Sequence, residues 1–267
     1  MSKIYEALKI ATSERKAAAA PMPSPMPSSA VEAIRTPVVE RQAAPPVESV
    51  MPIRWPKQRL ASRDEMLSLH AKVGTAIGGH ESRAVIMTSA RSGEGATSIA
   101  REFALAVAES SDRKILLVDA NPTENGLHRQ FQLPERPSLE DVARRNLEVS
   151  AAIHQLAPRN LHLARLSPHL AGPSAIVDAA PFDGLFARLR ASFNEIIIDA
   201  PPVIASSTSM VLAKRCDGVI LVLAAERTRA PVVEQAKKVI AAHEARLIGV
   251  VMNRRRHHIP NLIYRRL

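Results

Sequence analysis

Six short apolar segments between positions 84 and 253 constrain the fold of this 267-residue chain more than any other feature. Several of them are continuously apolar instead of alternating, which is typical of strands that are covered on both faces. The predicted strands are Ala84–Ser89, Lys114–Asp119, Asn160–Leu166, Glu195–Asp199, Gly218–Leu223 and Leu247–Asn253.

Helical stretches separate these strands, because apolar residues recur there at three- and four-residue spacing. Helices are predicted for Asp64–Ile77, Ile99–Glu109 and Pro231–His243. Strands that alternate with helices form a parallel sheet, so we expect an α/β fold with a three-layer, doubly wound, mostly parallel sheet. The ligands of such sheets bind at the carboxyl ends of the strands.

Changes in composition divide the chain into four parts. Residues 1–16 fit a short amphipathic helix, and residues 17–60 are rich in Ala and Pro, as in PMPSPMPSS, which favours an extended linker. Residues 61–253 contain the predicted strands and are expected to form one domain. Residues 254–267 form an Arg-rich tail.

The net charge of +10 is distributed unevenly along the chain. Residues 1–60 carry +4, residues 61–253 only +1, and residues 254–267 carry +5. A nearly neutral body with only 3% aromatic residues is not expected to bind nucleic acid by base stacking. The single cysteine, Cys216, excludes cysteine-based metal sites and is expected to pack as a small apolar residue.

The N-terminal residues are too polar for a signal peptide, and no apolar run reaches the roughly 18–20 residues that span a bilayer. We therefore expect a cytoplasmic protein.

The first predicted strand runs into the sequence ARSGEGATS and then into a helix, which is the order of elements in a phosphate-binding loop. Glycines allow the backbone to approach an anion, and the first N–H groups of the helix point toward it. The pattern G-x-x-x-x-G-K-[ST] would place its lysine at Ala96. Alone, the loop also fits an ordinary strand-to-helix turn. The predicted loop residues are Arg91, Ser92, Gly93, Glu94, Gly95, Ala96, Thr97 and Ser98.

Two aspartates follow predicted strands, Asp119 in ILLVDAN and Asp199 in EIIIDAPP. Carboxylates at these positions hold Mg²⁺ or its waters in phosphate-loop proteins, and the loop hydroxyl, here Thr97, is a direct ligand. The three elements together indicate descent from a P-loop nucleotide-binding protein.

Most of residues 61–267 resembles the bacterial tyrosine autokinases of capsular and exopolysaccharide synthesis, which are relatives of the partitioning and septum-positioning ATPases. The matching motifs are TSARSGEGATS, ILLVDAN with GLHRQFQLP, SLEDV, FNEIIIDAPPV, LAKRCDGVILVL, RTRAPVVEQA and LIGVVMNR. The opening SKIYEALKIA is similar to the start of stand-alone autokinases of the exosortase-associated type.

The resemblance implies an ATP-dependent protein-tyrosine kinase with ATP and Mg²⁺ as cofactors. Asp119 and Asp199 would be catalytic, and Thr97 would hold Mg²⁺ with them. Asn253 and Arg254 would contact adenine, or otherwise simply end an edge strand. Tyr264 is the candidate phosphate acceptor, although isolated tyrosines are also common packing residues.

The resemblance also implies a location at the inner membrane, through a membrane-embedded polysaccharide co-polymerase or chain-length regulator. Homo-oligomers are a further expectation, because the helix before the loop carries an E-x-x-R-x-x-R motif in the family. Here Glu65 remains, but Ser68 and His70 or Ala71 replace the basic positions.

Other departures from the family pattern fall on the chemistry. Ala96 replaces the phosphate lysine, Asn121 the second aspartate of a D-x-D motif, and Thr208 a later aspartate. One charge-assisted hydrogen bond contributes about 1.5–3 kcal/mol, so ATP binding should weaken roughly ten- to a hundredfold without being abolished. A regulatory, pseudokinase-like role is therefore predicted. Arg91 could partly replace the lysine, or it could be a solvated loop residue.

A second hypothesis is a positioning ATPase-like module whose basic tail binds DNA or anionic membrane lipids. The run RRRHH and the later YRR would contact phosphates or lipid head groups. A solvated tail explains the same residues equally well.

Overall fold

The computed structural model describes residues 62–121, 126–167 and 179–254. The predicted N-terminal helix, the linker, almost all of the basic tail and Tyr264 lie outside these ranges. Within the described ranges, no helix is both long and apolar enough to cross a membrane.

Seven strands form one sheet. They are β1 (Arg83–Ser89), β2 (Ile115–Asp119), β3 (Ile153–Gln155), β4 (Leu161–Arg165), β5 (Glu195–Asp199), β6 (Gly218–Ala224) and β7 (Leu247–Asn253). All six predicted strands are present, with ends that differ by one residue at most. Strand β3 was not predicted, because three residues are too few to show a pattern.

Helices connect the strands. They are α1 (Arg63–Ile77), α2 (Ala96–Ser110), α3 (Leu127–Gln130), α4 (Leu139–Arg145), α5 (Ala179–Ser192), α6 (Thr208–Ala213) and α7 (Ala230–Ala242), with a 3₁₀ turn at Val149–Ala152. Helix α1 begins with a capping box in which Ser62 and Glu65 bond to each other's backbone N–H groups. The predicted helices correspond to α1, α2 and α7.

The strand order is β3-β4-β2-β5-β1-β6-β7, and every neighbouring pair except β3–β4 is parallel. Strands β2, β5 and β6 are buried along their whole length, as their continuous apolar sequences predict. The predicted α/β fold is confirmed.

Each face of the sheet has its own apolar core. One core includes Leu116, Ile198, Leu221 and residues of α5 and α7. The other includes Phe103 of α2 and Val73 of α1. Cys216 packs against the first core, although it is only half-buried, and burial raises the pKa of its thiol to about 12. It is an apolar packing residue, as predicted.

The sheet order determines where the ends of the strands meet. Strand β5 lies between β1 and β2, and the backbone positions of Asp119 and Asp199 are paired in register. Because Met87 near the end of β1 is paired with Asp199, the loop after β1 begins beside both aspartates.

Candidate functional site

The loop between β1 and α2 has the shape of an anion cradle. Gly93 and Gly95 have φ angles of 83° and 95°, which residues with a side chain rarely adopt. Gly95 also lies against the amide of Asn253, so a Cβ atom at position 95 would clash with it. The positive φ at position 95 favours glycine, and the Asn253 amide would have to shift to admit a side chain there.

Long-range side-chain contacts hold this loop. The buried carboxylate of Glu94 accepts hydrogen bonds from the Arg91 backbone N–H at 2.9 Å and from the Thr228 hydroxyl. The Asn253 amide donates to the Glu94 carbonyl oxygen at 2.9 Å. The loop is thereby fastened to the ends of β6 and β7.

The amino end of α2 is available to an anion. No side chain caps it, and its first turn contains no acidic residue that would compete for the backbone N–H groups. Ala96, at the position of the P-loop lysine, is 6% exposed and brings no charge. At position 96 the cradle therefore offers an anion only the backbone N–H groups and the helix dipole.

Asp199 is fully buried at the end of β5, and both of its carboxylate oxygens lack a well-formed hydrogen bond among the described residues. Burial raises the pKa of Asp199 well above its usual value, the adjacent Thr97 hydroxyl lowers it, and the charge of Asp119 raises it further. A buried polar group without a partner needs an explanation, and an ion or ligand that completes it is one.

Asp119 is better satisfied than Asp199. Its carboxylate accepts from the backbone N–H of Asn121 at 3.2 Å and from that of His128 at 2.8 Å. Burial raises the pKa of Asp119, and these two hydrogen bonds oppose the shift. The Asn121 amide in turn donates to the Thr97 hydroxyl at 3.3 Å.

The predicted ligands of Mg²⁺ therefore lie together. Two carboxylates and a hydroxyl are the oxygen donors that Mg²⁺ prefers, and the unsatisfied oxygens of Asp199 fit such an ion. No group of three His, Cys, Asp or Glu side chains suited to a metal occurs in the described part of the chain. A site of two carboxylates and one hydroxyl suits a cation that completes its coordination with phosphate and water.

A cleft of about 770 Å³ lies beside the loop. Its walls are residues 91–94, Ala224, residues 227–229, Pro231, Val232 and Arg254. Asn253 and Arg254 lie at the end of edge strand β7, and both predicted alternatives for them stay open. The predicted site did not include Arg227, Thr228 and Arg229, although the RTR run shortly after a predicted strand was a usable signal.

The side chain of His70 is 22% exposed. Its imidazole bonds to buried Glu195 at 3.2 Å and packs edge-on against Phe103. Ser68 and Ala71 are exposed.

The chain is similar to proteins of known activity. Over 171 residues it is 26% identical to the tyrosine-protein kinase YwqD of Bacillus subtilis. This alignment covers 64% of this chain and 72% of YwqD. The solved VpsO kinase domain is 28% identical and superimposes with a TM-score of 0.59 over 73% of this chain and 100% of that domain. A ParA family ATPase from Chlorobium tepidum shares the fold, with 20% identity and a TM-score of 0.53 over 64% of this chain and 74% of its own.

No model of a known protein family matches the sequence. The relatives found by sequence and those found by structure agree nonetheless, since YwqD is a tyrosine-protein kinase and the VpsO domain is a kinase domain. Together with the P-loop-type sheet and loop, these relatives support the assignment of this chain to the bacterial tyrosine-protein kinases.

Proposed function

We propose that this protein binds a Mg²⁺–nucleoside triphosphate weakly at the loop of residues 91–98 and acts as a regulatory, pseudokinase-like partner in exopolysaccharide or capsule synthesis. The observation that carries the proposal is the buried, unsatisfied carboxylate of Asp199 beside Thr97, next to an uncapped helix start. This combination suits a cation and the phosphates that it accompanies.

The residues would divide the work of binding. Backbone N–H groups of residues 93–98 would hold the phosphates, while Thr97, Asp119 and Asp199 would hold Mg²⁺, which neutralises phosphate charge when bound. In an active kinase, Asp119 or Asp199 would also assist the deprotonation of a tyrosine hydroxyl.

Ala96 is the reason for proposing a regulatory role. A missing charge-assisted hydrogen bond weakens binding roughly ten- to a hundredfold. A missing preorganised cation lowers the rate of a chemical step by a further ~10²- to 10³-fold. Binding therefore survives the replacement better than catalysis does.

The partner that we propose is a membrane-embedded polysaccharide co-polymerase, which would hold this protein at the cytoplasmic face of the inner membrane. The similarity of this chain to bacterial tyrosine-protein kinases supports the proposed partner, because the resemblance implies docking on such a regulator. Homo-oligomers belong to the same proposal.

The test is a titration with a fluorescent ATP analogue and Mg²⁺, followed by detection of phosphotyrosine. Ala96→Lys restores the missing cation and should tighten binding roughly ten- to a hundredfold. Ala187→Lys adds the same charge at an exposed position of α5 and should leave affinity unchanged.

Two outcomes would contradict the proposal. Strong phosphotyrosine on the wild type that Tyr264→Phe abolishes would show an active kinase. Absence of nucleotide binding by both the wild type and Ala96→Lys would remove the nucleotide site. Tight binding to duplex DNA with a steep salt dependence would instead favour the positioning-ATPase hypothesis.

A further inference from the structure

Four arginines surround the cleft beside the phosphate loop. Arg91 and Arg254 come from the loop and the end of β7, while Arg227 and Arg229 come from the connection between β6 and α7. All four are exposed, and none forms a salt bridge with a carboxylate among the described residues. The cleft therefore concentrates positive charge, and the carboxylate of Glu94 in its lining is already bonded to the Arg91 backbone N–H and the Thr228 hydroxyl.

In a cleft of this size, the repulsion among the four arginine charges costs free energy when no ligand is bound. A cube of 770 Å³ is about 9 Å on a side, comparable with the Debye length of about 8 Å at physiological ionic strength. Positive charges around such a space are only partly screened from one another, so an anion inside it would relieve their repulsion.

The backbone that carries Arg227 and Arg229 is fixed against the phosphate loop. Between them, the Thr228 hydroxyl accepts from the Ala224 backbone N–H at 3.2 Å and donates to the Glu94 carboxylate of the loop. The backbone N–H of Thr228 donates to the Ala224 carbonyl oxygen at 3.0 Å, which closes a tight turn.

Helix α7 continues this fixed segment. Its N-cap is Arg229, and Pro231 lies in its first turn. The two guanidinium groups therefore start from a preorganised backbone beside the anion cradle, which reduces the entropy lost when they bind a ligand.

The geometry points to Arg227 and Arg229 as the residues that supply the phosphate-binding charge missing at Ala96, with the polyphosphate chain of a nucleoside triphosphate as their ligand. This inference rests on the proposed nucleotide binding. Arginine suits the task, because its guanidinium donates two parallel hydrogen bonds to a phosphate.

The test measures the binding of ATP, of inorganic tripolyphosphate and of adenosine to Arg227→Gln, Arg229→Gln and the double variant. Each single replacement should weaken ATP binding about tenfold and the double replacement about a hundredfold, with tripolyphosphate weakened in parallel and adenosine unchanged. Lys238→Gln removes one exposed charge farther along α7 and should bind ATP like the wild type.

A second measurement tests whether the arginines replace the lysine. Ala96→Lys should improve the affinity of the double variant for ATP more than that of the wild type, because the new cation adds less where the arginines already supply part of the positive charge. Equal gains in both backgrounds would overturn the inference.

The outcomes separate this inference from the proposed function. If the wild type binds ATP and the double variant binds it equally well, the arginines are solvated surface residues and only the inference fails. If ATP binding weakens while tripolyphosphate binding does not, the arginines contact the nucleoside and the inference also fails. If the wild type binds neither ligand, the proposed function fails as well.

Discussion

Strand β5 carries a buried carboxylate at each end, and the surroundings of the two differ. Glu195, at the amino end, is 2% exposed and lies within ion-pair distance of Arg113 (3.1 Å), His70 (3.2 Å) and Arg83 (3.7 Å). Asp199, at the carboxyl end, is 0% exposed, and neither oxygen has a well-formed partner among the described residues.

This difference in surroundings indicates different roles for the two carboxylates, one in stability and one in ligand binding. Burying a charge costs free energy unless other groups compensate it. At Glu195 the protein supplies the compensation itself, so this carboxylate fastens α1 and the start of β2 to the sheet. At Asp199 the compensation is missing, which is expected where an external cation supplies it.

The largest effect is expected at the compensated end. Glu195→Ala leaves two arginines and His70 without their shared carboxylate, and breaking a buried ion pair in this way costs about 3–5 kcal/mol. Chemical denaturation measures the free energy of unfolding. Glu234→Gln, which removes an exposed pair with Lys237, should cost about 0.5 kcal/mol or less. Equal costs for both variants would refute the contrast.

Replacement of Asp199, at the carboxyl end of β5, is expected to raise the stability of the protein instead of lowering it. Because the pKa of Asp199 is raised in the folded protein, the folded state keeps its proton after the unfolded chain has lost it, so stability falls as the pH rises above 3.8. Asp199→Asn removes this penalty. The variant should match the wild type below pH 3.8, and its advantage in stability should grow as the pH rises toward 7.

Mg²⁺–ATP provides the control for this prediction. It should raise the melting temperature of the wild type but not that of Asp199→Asn, because the variant lacks the carboxylate proposed to hold the cation. A variant that is less stable than the wild type at pH 7 would show that Asp199 has a structural role like that of Glu195.

The sequence predicted most of the sheet but not this contrast. Continuous apolar runs identified β2, β5 and β6, and placing Asp119 and Asp199 at strand ends predicted where they meet. Both Glu195 and Asp199 flank the same apolar run, however, and nothing in EIIID distinguishes them. Their difference comes from neighbours distant in sequence, such as His70, which lies 125 residues from Glu195.

Separation in sequence also explains why the side-chain contacts that hold the phosphate loop were not predicted. Thr228 lies 134 residues from Glu94, and Asn253 lies 159 residues from it. Single side-chain contacts over such separations leave no periodicity in the sequence, whereas a strand or an amphipathic helix repeats its signal along its length. Local patterns therefore predicted the elements, and only the folded chain shows what fastens them together.

The smallest effect is expected for Thr97→Val. The Thr97 hydroxyl lowers the pKa of Asp199, so its removal should raise that pKa further. Below the folded-state pKa of the wild type, Asp199 is protonated in both proteins, and their stabilities differ only by the weak bond to Asn121, about 0.5 kcal/mol. Above it, the variant should lose additional stability, because its carboxyl still holds a proton that the unfolded chain has released. Denaturation midpoints measured from pH 4 to pH 9 would show this divergence. A constant difference over the whole range would mean that the hydroxyl does not act on Asp199.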